Sequence, residues 1–316
     1  MSKLKALARR ELIENRNGIV LTPVILMGLM LILVVGSMSF GIGEMGLGHG
    51  TRHVASFGQL LREIADAESG VAAGIVIALM SVMSLPALMV LPVVIFFVLL
   101  GGLYEERRDR SFLFWKSMPV SDTEEVLARL AGGIVLTPAV FLAVGIATHL
   151  LTLVLASLIG GAQGGPVGAI WYIGPLALNW FQGAFVLAIW MLWALPVFAW
   201  VLLASAYAPR TPFLYAVVPP IVVIVNENVF LHSNHFASWI GRHLSAQPLF
   251  EDIADGFRTA PGRVEIDDFS ALMQELAKPD FAGIFNSFAH PDLWIGLAIA
   301  AALLYGTVWL RRYALA

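Results

Sequence analysis

Six long apolar runs divide this chain, and none of its lysines or arginines falls inside them. They cover Ile19–Phe40, Val71–Leu103, Gly132–Ile159, Trp171–Ala208, Pro212–Leu231 and Leu293–Leu310. A hydrocarbon core of ~30 Å takes about 20 apolar residues in a helix, so each run is long enough to cross a bilayer. A lipid solvent leaves the backbone only internal partners, which restricts spanning segments to helices or closed barrels. Runs of this length specify helices. The fold class is therefore all-α and integral to a membrane, a single transmembrane domain over residues 1–316 with six spans. The second and fourth runs exceed one crossing, and tilt or an interfacial turn is expected to absorb the excess.

Orientation follows from the connecting segments. With the N-terminus inside, 13 of the 19 Lys and Arg residues lie on the inner side and 6 on the outer. Basic residues in short loops favour the cytoplasmic face, so both termini are placed there. Trp171, Tyr172, Tyr207, Trp294, Trp309 and Tyr313 mark span boundaries, where amphipathic rings prefer the headgroup level. The basic start followed by an apolar run invites comparison with a signal peptide. That run is about 20 residues, beyond the 7–15 of a signal core, and no small-x-small site follows it. It is read as a retained first span.

The charged fraction is 13%, against about a quarter for soluble domains. A net charge of −3 gives no basic footprint for nucleic acid. Cysteine is absent, which excludes disulfides, thiolate metal sites and a cysteine nucleophile. The glycine-rich turn Gly160–Gly168 is no phosphate cradle, because a P-loop needs Gly-Lys-Ser/Thr opening a helix and no lysine here follows a glycine. No cofactor is expected on this chain.

Residues 1–18 read as an interfacial helix with Leu4, Leu7, Ala8 and Leu12 on one face, or as an inner extension of the first span. Pro23, Pro86, Pro92, Pro138, Pro196 and the pair Pro219–Pro220 lie in the spans as candidate kinks. The segment 232–290 reads as an outer loop with short helices at Ser238–Leu244, Pro248–Phe257 and around Phe269, Leu272, Met273 and Leu276. The chain is read without an internal repeat.

The segment 104–131 carries the densest polar pattern. It begins Tyr104-Glu105-Glu106-Arg107-Arg108-Asp109-Arg110, then presents Phe112, Phe114 and Trp115 beside Lys116. Pro119 breaks the segment, and Ser121 with Glu124 supplies a capping box that starts the next helix at Asp122. A short helix, a break and a capped helix make a stiff corner at the inner face. An ordinary solvated loop anchored by aromatics is the alternative on physical grounds alone.

Glu106-Arg107 through Arg110-Ser111, followed by Phe114-Trp115-Lys116-Ser117-Met118-Pro119-Val120-Ser121-Asp122, resembles the signature loop of bacterial ABC type-2 transporter permeases. In that family Phe-Trp-x-Ser-Leu-Pro-Val-Ser-Asp is common at this place, and Met118 is a volume-conserving departure. The resemblance implies the membrane subunit of an exporter in the bacterial inner membrane. It implies a second permease subunit, as homo- or heterodimer, and two copies of a separate ATPase that binds ATP and Mg. The loop would then be a coupling helix docked in the ATPase. Phe114 and Trp115 would be its apolar anchors, and Glu105, Glu106, Arg107, Arg108, Asp109 and Arg110 would set orientation.

Among the acids only Glu227 lies within a span, flanked by Asn226 and Asn228 after the proline pair. An ionisable residue there is a candidate for the translocation path or a dimer gate, against an interfacial structural carboxylate. His232, His235 and His243 lie close in sequence without metal-site spacing. Two other functions remain: a gradient-driven transporter or channel, and a non-transporting membrane scaffold. The first usually buries several ionisable groups near the midplane.

Overall fold

The computed structural model describes residues 3–40, 56–108, 121–259, 269–278 and 281–313. All regular structure among them is helical. Six helical segments are long and apolar enough to cross a membrane: Asn17–Phe40, Ser69–Arg108, Asp122–Ala162, Val167–Tyr207, Pro212–Leu231 and Pro291–Tyr313. They match the six apolar runs in order. The chain is a multi-pass helical membrane protein.

Helix α1 (Lys3–Glu14) passes through one turn residue, Asn15, into a π-helical stretch at Asn17–Leu21 and then α2 (Thr22–Phe40), span one. Helix α3 (Phe57–Asp66) is amphipathic and capped by Ser56, whose side chain accepts from Gln59 N. Span two is α4 (Ser69–Arg108), continuous through Pro86 and Pro92. Beyond the undescribed residues 109–120, α5 (Asp122–Ala131), a second π-helical stretch (Gly132–Leu136) and α6 (Thr137–Ala162) form span three. Span four is α7 (Ile173–Tyr207) and span five is α8 (Pro212–Leu231). The outer segment folds as α9 (His235–Ser245), α10 (Gln247–Thr259), α11 (Phe269–Leu276) and α12 (Phe281–Asn286) before span six, α13 (Pro291–Tyr313).

The two long runs differ: the fourth enters its helix after a short 3-10 turn at Val167–Ile170, whereas the second is one unbroken helix. Helix α4 has 40 residues, about 60 Å at 1.5 Å per residue. A crossing tilted by as much as ~40° takes only about 26 residues. The excess contains no turn and is continuous helix. It rises past the crossing because other elements clothe it. At that end Phe57, Leu60, Leu61 and Ile64 of α3 pack with Ala72, Val76 and Ile77 of α4 and with Leu153 and Ala156 of α6. Helix α11 lies so close that a Cβ on Gly74 would overlap the Met273 carbonyl.

The main core joins Leu91, Val94, Ile95, Val98 and Leu99 of α4 to Met191, Ala194, Phe198 and Leu202 of α7, with Ile19, Met27 and Phe141 alongside. Helix α13 runs along α7, and α2 along α6. A third cluster seats the outer helices on span four through Ile189, Trp193, Ala246, Leu249, Ile284 and Leu293. Span four is the most enclosed and span five the least.

The expectation of no internal repeat is also corrected, at short scale. Gly-Ile-Val-Leu-Thr-Pro occurs twice, at residues 18–23 and 133–138. Each copy carries a π-helical stretch.

Candidate functional site

Among the described residues, the segments assigned to the inner face by charge converge at one end of the bundle. Glu106, in the last turn of α4, sits 4% exposed among three guanidiniums. Arg129 Nη2 donates to it at 2.5 Å and Arg311 Nη1 at 3.1 Å, and Arg10 Nη2 donates as well. Arg129 also donates through Nη1 to Glu11 Oε1 at 2.7 Å and Glu14 Oε2 at 2.6 Å. Arg311 pairs with Glu125 and stands 3.5 Å from Asp122. Arg10 completes the set with Glu14 at 2.9 Å and Glu125 at 3.4 Å.

Four stretches of chain, two of them from opposite ends of the sequence, are thus held by one buried ionic plate. They are α1 (Arg10, Glu11, Glu14), the end of α4 (Glu106), α5 (Asp122, Glu125, Arg129) and the end of α13 (Arg311). Buried charges survive only when paired and hydrogen-bonded, because each loses several kcal/mol of hydration on leaving water. The multiplicity of contacts here meets that condition. Burial pushes the Glu11 carboxyl up to about 7; Arg129 opposes the rise and Glu14 adds to it.

Of the residues singled out before the break at 109–120, Glu105 is exposed and Glu106 is in the plate. Arg107 Nη2 donates to the carbonyls of Ser205 at 2.6 Å and Ala208 at 3.0 Å. A cation there satisfies orphan carbonyls at the end of span four and meets the negative end of its dipole. Ser205 Oγ, fully buried, accepts from Leu103 N and Tyr104 N. Arg108 is exposed. After the break, Ser121 and Glu124 form the anticipated capping box: Ser121 Oγ accepts from Glu124 N, and Glu124 Oε2 accepts from Ser121 N. Asp109, Arg110, Phe114, Trp115, Lys116 and Pro119 lie outside the described residues.

At the opposite end, Glu227 accepts from Ser233 Oγ at 2.8 Å, His235 N at 2.7 Å and Phe236 N at 2.8 Å. His235 and Phe236 open α9, so this carboxylate caps a helix N-terminus. Asn226 Nδ2 donates to Val222 O within its own helix, and Asn228 is exposed. Of His232, His235 and His243, the last is buried against Trp193 and Trp239 and faces the carbonyls of Trp239 and Asp292.

Sequence reasoning missed His149, an ionisable residue inside span three. Trp180 Nε1 donates to its Nδ1 at 3.1 Å, so Nδ1 is unprotonated and the proton of the neutral ring sits on Nε2. That nitrogen lies 3.0 Å from Ser84 Oγ, whose hydroxyl donates to Met80 O. The ring bolts spans two, three and four together with both nitrogens engaged. A histidine in an otherwise apolar run was a visible signal. The plate carried a weaker one, since its members are scattered through segments that read separately as solvated.

The chain matches no family model, and neither a curated protein nor a solved structure matches it.

Proposed function

We propose that the chain is the membrane subunit of an ATP-driven transporter of the ABC type-2 permease kind, acting as an exporter in a bacterial inner membrane. Its energy comes from a separate ATPase gripping the corner at 109–120. Two lines support this reading. One is the resemblance of Glu106–Asp122 to the permease signature. The other carries more weight: the residues bounding that corner on both sides, Glu106 before it and Asp122, Glu125 and Arg129 after it, belong to one buried plate with α1 and α13. A push on the corner is therefore delivered to spans one, two, three and six together. In this reading Phe114 and Trp115 are the anchors in the partner, while Glu106 and Arg107 hold the corner's base.

A second copy of the permease is part of the proposal. Span five, the least enclosed, offers it a face, with Asn226, Glu227 and Asn228 at the outer rim. ATP and Mg belong to the partner.

The test is co-purification from native membranes with an ATP-hydrolysing subunit. Trp115→Ala is expected to release that subunit while the helical content and thermal stability of the membrane chain are retained. Retention of the partner by the variant overturns the docking assignment. A chain that moves solute under an ion gradient alone supports the secondary-transporter reading instead.

A further inference from the structure

The two copies of Gly-Ile-Val-Leu-Thr-Pro stand 115 residues apart, at the inner ends of spans one and three. Both adopt the same departure from α-helix. Asn17–Leu21 and Gly132–Leu136 are π-helical, and the threonine after each closes the turn, Thr22 Oγ1 onto Asn17 O at 3.1 Å and Thr137 Oγ1 onto Gly132 O at 2.8 Å. The cause is local. A proline ring within a helix collides with the carbonyl four residues back and brings no N–H of its own. Pro23 and Pro138 impose that conflict on Ile19 and Ile134. A widened turn relieves it, and in each copy the threonine's backbone N–H and hydroxyl both donate to the carbonyl five residues back.

The copies also share surroundings. Gly18 and Gly133 both face span two: a Cβ on Gly18 would lie 3.4 Å from Val94 Cγ1, and one on Gly133 would lie 2.7 Å from Leu99 Cδ2. Spans one and three run parallel, so equivalent positions meet. Arg10 pairs with Glu125, and Glu14 with Arg129, each across the same separation of 115 residues. Equivalent sites in the two copies therefore carry opposite charges and bind each other.

We infer that these are matched hinges: α1 and α5 form one ion-locked lever, and spans one and three bend against it together at the two π turns. Widened turns just before a proline, where the backbone ladder shifts from four residues to five, are where a helix bends at least cost. The ion pairs force the two bends to coincide. This inference does not depend on what drives the lever or on what the protein moves.

The chain contains no cysteine, so introduced cysteines can be spin-labelled without background. One pair, Ile13→Cys with Leu33→Cys, spans the first hinge, and another, Leu127→Cys with Leu151→Cys, spans the second; all four sites are exposed. In the full chain in liposomes, double electron–electron resonance is expected to show two distance populations across each hinge. Thr137→Ala with Pro138→Ala closes the second turn into α-helix. The expected result is loss of the second population across both hinges, including the untouched first one, whereas Thr137→Ser retains both populations. A single narrow population across the unsubstituted hinges overturns the inference. So does a first hinge that ignores closure of the second. Failure to bind an ATPase would leave either result unchanged, so the two readings fail separately.

Discussion

Glu106 shows how much one side chain decides at the inner face. Its carboxylate accepts from Arg10, Arg129 and Arg311, which come from three different segments. Removing one member of a buried ionic set leaves the others uncompensated, at a cost of ~3–5 kcal/mol. Glu106→Gln is therefore expected to lower thermal stability in detergent by that order, whereas Glu105→Gln, at an exposed site beside it, is expected to change it little. Equal losses would show that the plate is not the clamp. Glu11 adds a pH dependence. Its folded pKa, about 7, lies above the ordinary carboxylate value of 4.5. The folded state therefore holds its proton more tightly than the unfolded chain. Its contribution to stability is complete below pH 4.5 and is lost as pH rises through about 7. The melting temperature is expected to decline across this window, and Glu11→Gln, which cannot ionise, is expected to flatten the decline. An unchanged slope in the variant would assign the titration to another group.

At the scale of elements, close packing and caps decide which helices stay attached. Helix α11 lies on the outer part of span two only because residue 74 has no side chain. In Gly74→Ala the new methyl would collide with the Met273 carbonyl, and backbone cannot swing aside as a side-chain tip can. The expected outcome is release of α11, read as faster amide exchange over residues 269–276 while the inner ends of the spans keep their protection. Uniform exchange in the two proteins would show that α11 adjusts in place. Helices α3 and α12 were not anticipated, whereas α9, α10 and α11 were legible in advance because their apolar residues recur at helical spacing. Their seats were not, since a single missing Cβ at Gly74 carries no pattern. The π turns belong with these. The duplicated hexapeptide is plain in the chain once aligned, but only the shared backbone geometry and the threonine hydrogen bonds give the duplication a physical meaning.

For the molecule as a whole, the charge distribution predicts which end faces which compartment, and the fold gathers the predicted inner segments at one end. Single cysteines test the assignment. Gly168→Cys and Ser245→Cys are expected to react with an impermeant maleimide in intact cells, and Arg210→Cys only after permeabilisation. Labelling in the reverse sense would invert the topology.

The sequence by itself determined the number of crossings, their helical nature and the expected orientation, because lipid tolerates neither unpaired backbone nor scattered charge and so writes its demands into long contiguous runs. It also located the capping box that opens α5. Only the tertiary structure decided that Glu106 and Arg107 are engaged within the chain, that Glu227 caps α9, that His149 bolts three spans, and that residues from opposite ends of the chain form one plate. These are pairings between distant segments. A single helix's pattern records that a charge is present, and never which partner in another helix removes it from water.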